Sequence, residues 1–213
     1  LYSICMSKSL ASAGIKLSVL TLGSRLLGLV REMTKATFLG TSGLADAFGV
    51  AFMIPNLFRR LFAENSISVA FIPTFKKYLE ENPEDKQSTK DFINATFTLV
   101  TFLTTIVVTI GIIFSPWIVK IFSNGESSEI LVEMSVLTRI MFPYLLVISI
   151  AALFQGILNG LKIFSPSGFT PILFNLCVII GTYLLSPYTK NPARAMSYGV
   201  LVGGIIQAGF QLP

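Results

Sequence analysis

Apolar positions in this chain run in long blocks, not in alternation, and charges gather between the blocks. Uncharged stretches cover 92–119, 140–161, 163–189 and 195–213. Each reaches the roughly 18–20 apolar residues that span bilayer hydrocarbon. A soluble buried helix seldom runs so far without a charge. The pattern predicts six hydrophobic helices, at about 10–39, 44–63, 92–121, 131–161, 168–186 and 193–213, behind an N-terminal segment over 1–9. Gly40-Thr41-Ser42-Gly43 reads as a tight turn between the first two. Pro55 and Pro143 fall inside predicted helices and are expected to kink them. Pro116-Trp117 falls near an interfacial end, where Trp is favoured. A polar loop over about 72–91 sets Lys76, Lys77, Lys86 and Lys90 against Glu80, Glu81, Glu84, Asp85 and Asp91. No internal repeat is visible.

Composition agrees with the pattern. Hydrophobic residues make up 53% of the 213 positions and charged residues 13%, against about 25% charged in soluble domains. The expected fold class is therefore an all-α polytopic membrane protein. With no histidine, the usual proton shuttle and the commonest metal ligand are missing. Cys5 and Cys177 stand far apart and suit neither a metal site nor a disulfide framework. No catalytic constellation can be assembled, so the chain is not expected to be an enzyme, and no cofactor or metal is expected. The net charge of +5 does not gather on one soluble face, which argues against nucleic acid as a partner.

Orientation is the more economical use of that charge. With the N-terminus inside, the inner side collects Lys8, Lys16, Arg59, Arg60, Lys76, Lys77, Lys86, Lys90 and Lys162. The outer side holds Lys35, Lys120, Arg139, Lys190 and Arg194. This imbalance, densest in a short loop, places the N-terminus in the cytoplasm and the 72–91 loop on the same side. The chain starts ahead of Met6 and breaks off at Gln211-Leu212-Pro213 within a hydrophobic segment. It is thus expected to be the N-terminal portion of a longer membrane protein.

The chemistry sits in charges that interrupt the first two helices. Arg25 and Arg31 lie inside the first and Arg59-Arg60 close the second, with Asp46 embedded between them. A charge at the bilayer centre costs about 2.5–3.5 kcal/mol on insertion scales, so it calls for a cavity, a partner or a ligand. On a straight helix Arg25, Gly28, Glu32 and Lys35 share one face, with Arg31 flanking it. Asp46, Gly49, Met53, Asn56 and Arg60 share a face of the second helix, apart from any offset at Pro55, and Glu64 stands four residues beyond Arg60. The bland alternative is that Glu32 and Asp46 neutralise Arg31 and Arg25, while Arg59, Arg60 and Lys16 snorkel. Arg25 is deep in its segment and the apolar remainder offers few acids to match it. Net positive charge in a membrane cavity suits a multi-oxygen anion, for which the forked guanidinium is well shaped. Gln155, Asn159 and Asn175 read first as interhelical hydrogen-bond formers, and the helical glycines as packing positions.

Several of these residues fall in recognisable blocks: Ser24-Arg25-Leu26-Leu27-Gly28-Leu29-Val30-Arg31-Glu32, Ala45-Asp46-Ala47-Phe48 and Ile54-Pro55-Asn56-Leu57-Phe58-Arg59-Arg60-Leu61-Phe62-Ala63-Glu64. Phe142-Pro143-Tyr144 through Leu158-Asn159, Phe164-Ser165 and Pro171-Ile172-Leu173-Phe174-Asn175 complete the set. Together they resemble the MurJ (MviN) family of lipid II flippases, from about Met6 to the end of the chain. Glu32 stands where many members carry aspartate. The resemblance implies a fourteen-helix fold of the MOP superfamily (MATE-like), two six-helix lobes facing across a cavity and two further helices forming a lipid-tail groove. This chain would be the N-terminal lobe, with the C-terminal lobe absent, and by itself should not transport.

The resemblance further implies that Arg25, Arg31, Arg59 and Arg60 line a diphosphate cavity, with Glu32, Asp46 and Glu64 as charge partners. The expected partner is lipid II, carried from the inner to the outer leaflet of the bacterial cytoplasmic (inner) membrane for cell-wall synthesis. Membrane lipids and the missing lobe would be the other partners. Two competing expectations stand beside it: a flippase for another polyprenyl-linked glycan (O-antigen or capsule type), and a non-transporting scaffold of a cell-wall complex. A cation-drug antiporter fits less well, because a cationic drug wants acids in the cavity.

Overall fold

The structure is a computed structural model that describes residues 2–61, 71–81, 86–123, 125–161, 163 and 165–212. Every regular element among them is helical: α1 (Tyr2–Leu39), α2 (Gly43–Phe58), α3 (Ile72–Glu81), α4 (Lys86–Ile113), α5 (Ser115–Phe122), α6 (Ser128–Gly160), α7 (Ser165–Leu185) and α8 (Pro192–Phe210). Three of these are long and apolar enough to cross a membrane, within Gln87–Ile113, Ser128–Gly160 and Gly168–Tyr188. The others fall short for local reasons. Charges interrupt α1, α2 has 16 residues, and α8 is diluted by Arg194, Gln207 and its glycines.

Several boundaries differ from the sequence pattern: α1 begins at Tyr2 where a separate segment was expected over 1–9, and α2 ends at Phe58, short of the expected 63. The single helix expected over 92–121 begins earlier, at Lys86, and breaks at Phe114 into α4 and α5. Pro116 is the reason: it has no amide for the carbonyl four residues back, and its ring would strike that carbonyl. Placed in the first turn of α5, it costs nothing. The polar loop expected over 72–91 contains α3; its Phe75 and the preceding Phe71 are buried against Leu153 and Ile157 of α6, while Lys76, Lys77 and Glu80 stay exposed. Phe71 stacks on Phe75 and Phe92, and Tyr78 on Phe92, so aromatic faces bind this amphipathic turn to the start of α4.

The turn between α1 and α2 is short because Gly40 takes φ 58°, which a side chain would disfavour. Ser42 then caps α2 in an extended conformation and donates its hydroxyl to the Leu39 carbonyl at 2.6 Å.

α6 is the central element. It packs against α2, α4, α5 and α8, and it contributes Met134, Leu137, Met141, Phe142, Leu145 and Ile148 to the main core. α7 and α8 make the most extensive helix pair. Their axes approach at Gly181 and Gly199: a Cβ on Gly181 would lie 2.9 Å from the Cα of Gly199. A Cβ on Gly199 would lie 3.1 Å from the Cα of Val178. Here backbone meets backbone, and dispersion over that contact substitutes for a hydrophobic drive that lipid does not supply. α1 is held mainly by α7 and touches α2 only lightly. One side of it, with Leu22, Leu26, Leu29 and Met33, is exposed.

The close approach generates a test. Gly181→Ala should lower thermal stability by about 1–3 kcal/mol, because the obstacle is backbone that cannot swing away. Gly209→Ala, where nothing lies within 4 Å, should have little effect. Unfolding midpoints in detergent, measured side by side, check this; equal midpoints would mean that the two helices have room to separate.

Candidate functional site

On α1 the charged residues do not form one uniform stripe. Gly28 faces α7, where a Cβ would lie 3.8 Å from the Asn175 amide. Arg31 follows it round: one guanidinium nitrogen donates to Asn175 Oδ1 at 3.0 Å and the other to Glu32 Oε1 at 2.8 Å. Asn175 in turn donates to the Ser24 carbonyl at 3.2 Å. A single amide therefore reads both the arginine and the backbone of α1, which fixes the register of α1 on α7. Arg31 is a quarter exposed and Glu32 more than half exposed, so their ion pair is a weak stabiliser.

Arg25 is different. It is exposed and, among the described residues, makes no hydrogen bond or ion pair. Asp46 is likewise exposed and unpaired among the described residues, in the first turn of α2, where a carboxylate complements the helix dipole. The expectation that Glu32 neutralises Arg31 thus holds in this geometry; the parallel pairing of Asp46 with Arg25 does not form.

Beyond Phe58 the helix widens into a π-type turn over 59–61 that carries both remaining arginines. Arg60 is exposed, as are Asp46 and Met53 on its side of α2, while Gly49 and Asn56 are half-buried. Arg59 donates its Nε to Asn56 Oδ1 at 3.3 Å, and Asn56 donates to the Phe52 carbonyl. Glu64 lies outside the described residues.

Between α1 and α2, Arg31, Glu32 and Lys35 face Phe48, Gly49 and Phe52 across a cavity of about 50 Å³. A wider space of about 330 Å³ shares Lys35 and Gly49 with it and is lined also by Asp46, Met53, Glu126 and Met134 among others. Of the residues expected to line one cavity, Arg31 and Glu32 line the first space and Asp46 the second, while Arg25, Arg59 and Arg60 line neither of the two.

Between α6 and α8 a charge is paired more fully. Glu133 of α6 accepts two bonds of 2.7 Å from Arg194 of α8, and a third from Asn191 at 2.9 Å. Asn191 also caps α8, accepting from the Arg194 amide at 3.0 Å. The charge patterning did not single out this clasp. Its signal was present: Glu133 is an acid within an apolar run, and Asn191-Pro192 is a helix start immediately before an arginine. Gln155 and Asn175 do serve as interhelical hydrogen-bond formers, Gln155 accepting from the buried Gln211 at 3.4 Å. The Oδ1 of Asn159 is buried and unpaired.

Described helices alone, three of them able to cross a bilayer, with arginines held between them, define a polytopic helical membrane protein. Residues 35–213 match the profile of the family described as lipid II flippase MurJ, and the chain belongs to that family. It is 52% identical over 209 residues to a probable lipid II flippase MurJ of Treponema pallidum (strain Nichols), covering 96% of this chain and 39% of that relative. To the lipid II flippase MurJ of Burkholderia cenocepacia it is 38% identical over 210 residues, covering 96% and 40%. A solved structure of lipid II flippase MurJ in an inward closed conformation superposes with a TM-score of 0.77 at 28% identity, over 92% of this chain and 40% of that one. The chain spans about two fifths of the length of these relatives.

The clasp yields a test of where stability resides. Glu133→Ala leaves Arg194 without its carboxylate and should cost on the order of 2–3 kcal/mol, below a fully buried pair because Arg194 is partly exposed. Glu32→Ala, at an exposed pair, should cost about 1 kcal/mol or less. Thermal unfolding of both variants checks the difference, and a larger loss for Glu32→Ala would reverse the assignment.

Proposed function

We propose that the chain is the N-terminal six-helix lobe of a fourteen-helix MOP-superfamily lipid II flippase in the bacterial cytoplasmic membrane, a transporter with no catalytic step. Its substrate is the undecaprenyl-diphosphate-linked peptidoglycan precursor, passed from the inner to the outer leaflet. The second lobe completes the cavity and supplies the groove for the polyprenyl tail. Arg25, Arg31, Arg59 and Arg60 bind the diphosphate, with Glu32, Asp46 and Glu64 balancing the empty cavity.

The observation that carries this reading is the contrast between Arg25 and Arg194. Arg194 is saturated by a bidentate carboxylate, as a structural arginine should be. Arg25, set in the middle of a hydrophobic helix, has its donors unspent among the described residues. An unspent guanidinium within a membrane protein favours an anionic cargo, and its planar fork matches phosphate oxygens. Neutralising the diphosphate lowers its cost of entering a low-dielectric interior. Family membership supports lipid II over other polyprenyl-linked glycans, whose diphosphate chemistry would be the same. Rocking of the lobes about the bound headgroup then exchanges access between the two sides.

Two experiments test the proposal. In the full-length protein, Arg25→Ala should leave membrane insertion and abundance intact while abolishing lipid II translocation and growth of cells depleted of their own flippase. Arg25→Lys should also perform poorly, since an ammonium keeps the charge and loses the two-pronged grip. Loss of abundance with normal flipping by the remaining protein would make Arg25 structural and favour the scaffold reading. For orientation, a cysteine at the exposed Glu80 should resist a membrane-impermeant thiol reagent in intact cells. Ready labelling there would invert the topology.

A further inference from the structure

Lys35 has no role in the binding reading above, yet its position is unusual for a membrane lysine. It is half-buried on α1, and among the described residues its Nζ makes no hydrogen bond or ion pair. The ammonium rests 5.9 Å from the centre of the Phe48 ring, and Gly49 leaves it room, since a Cβ there would lie 3.9 Å from Nζ. Lys35 also lines both cavities between α1 and α2. A cation–π contact alone is a thin return for a half-buried ammonium.

One turn earlier on the same helix, Glu32 is tied to Arg31. That pairing opposes anion binding. A diphosphate on Arg31 would compete with the carboxylate for the same guanidinium edge and would then sit beside it, like charge against like. Glu32 needs somewhere to go. Lys35 is three residues on in a continuous helix, the spacing at which side chains meet. The cavity joining Arg31, Glu32 and Lys35 has about 50 Å³. A site needs only about 10–15 Å³ of such space to hold a water, so this cavity leaves room for the carboxylate to swing from Arg31 toward Lys35.

We propose that Lys35 is the counter-ion to which Glu32 transfers when an anionic headgroup takes its place on Arg31. The proposal rests on the diphosphate reading of Arg31. Lys35 is then a positioning residue: it touches Glu32, not the cargo. In the empty protein the charges run Arg31–Glu32 with Lys35 idle; in the loaded protein they run anion–Arg31 and Glu32–Lys35. Each state leaves the carboxylate paired. The acids that face Lys35 from other elements are Asp46 of α2 and Glu126 of the segment before α6. Neither is within ion-pair distance of it among the described residues.

The test is a mutant cycle in the full-length protein, read as binding of purified lipid II and as translocation in proteoliposomes, with protein abundance followed in parallel. Lys35→Gln should weaken lipid II binding by about tenfold without reducing abundance. Lys35→Arg should recover most of the loss. In a Glu32→Gln background, where no carboxylate has to be rehoused, Lys35→Gln should cost nothing further. Wild-type binding by Lys35→Gln would overturn the proposal. A tenfold loss that persists in the Glu32→Gln background would mean that Lys35 touches the cargo itself. Rescue by Asp46→Asn instead of Glu32→Gln would name Asp46 as its partner, and loss of abundance in both backgrounds would make Lys35 structural; each of these also overturns it. Arg31→Ala separates the two levels: undiminished lipid II binding there refutes the diphosphate reading itself, whatever Lys35 does.

Discussion

An ionised side chain inside an apolar bundle has to be paired, hydrated or occupied, and this requirement sorts the charges of the chain. Arg194 meets it fully through Glu133, in a three-residue clasp that includes the cap of its own helix. Arg31 meets it in part, sharing an exposed carboxylate and an amide. Arg25 does not meet it within the described residues. The gradient runs from structural ballast to open valence, and the open end lies on the side of α1 that the rest of the bundle leaves uncovered.

That uncovered side is itself a result of how the helices are packed. α6 gathers most of the core, and α7 and α8 meet with backbone against backbone at Gly181 and Gly199. α8 joins the two, packing against both α6 and α7. α1 leans on α7 through Asn175 and Gly28 and is nearly independent of α2. Among the described residues the charged spaces therefore lie beside a lightly packed helix boundary.

Much of this was legible in the sequence. Long uncharged runs gave helices apolar enough to cross a membrane, and insertion penalties made the arginines inside the first two conspicuous as candidates. Helical spacing alone could not say which side of α1 meets α7: Arg25 and Arg31 are six residues apart and point in different directions, and Asn175 decides between them. The break at Phe114 was hidden because Pro116-Trp117 fits an interfacial helix end as well as a new helix start. The fate of Glu133 was hidden for a different reason. Its partner is 61 residues away, and no local pattern links two such positions until α6 and α8 are placed side by side.

Asn191 caps α8 with its side-chain oxygen and grips Glu133 with its side-chain nitrogen. One amide thus joins the first turn of a helix to an ion pair across the bundle, so neither is complete alone. The clasp therefore couples the seating of α8 to that of α6: displacing either helix strips the cap partner and the ion pair together.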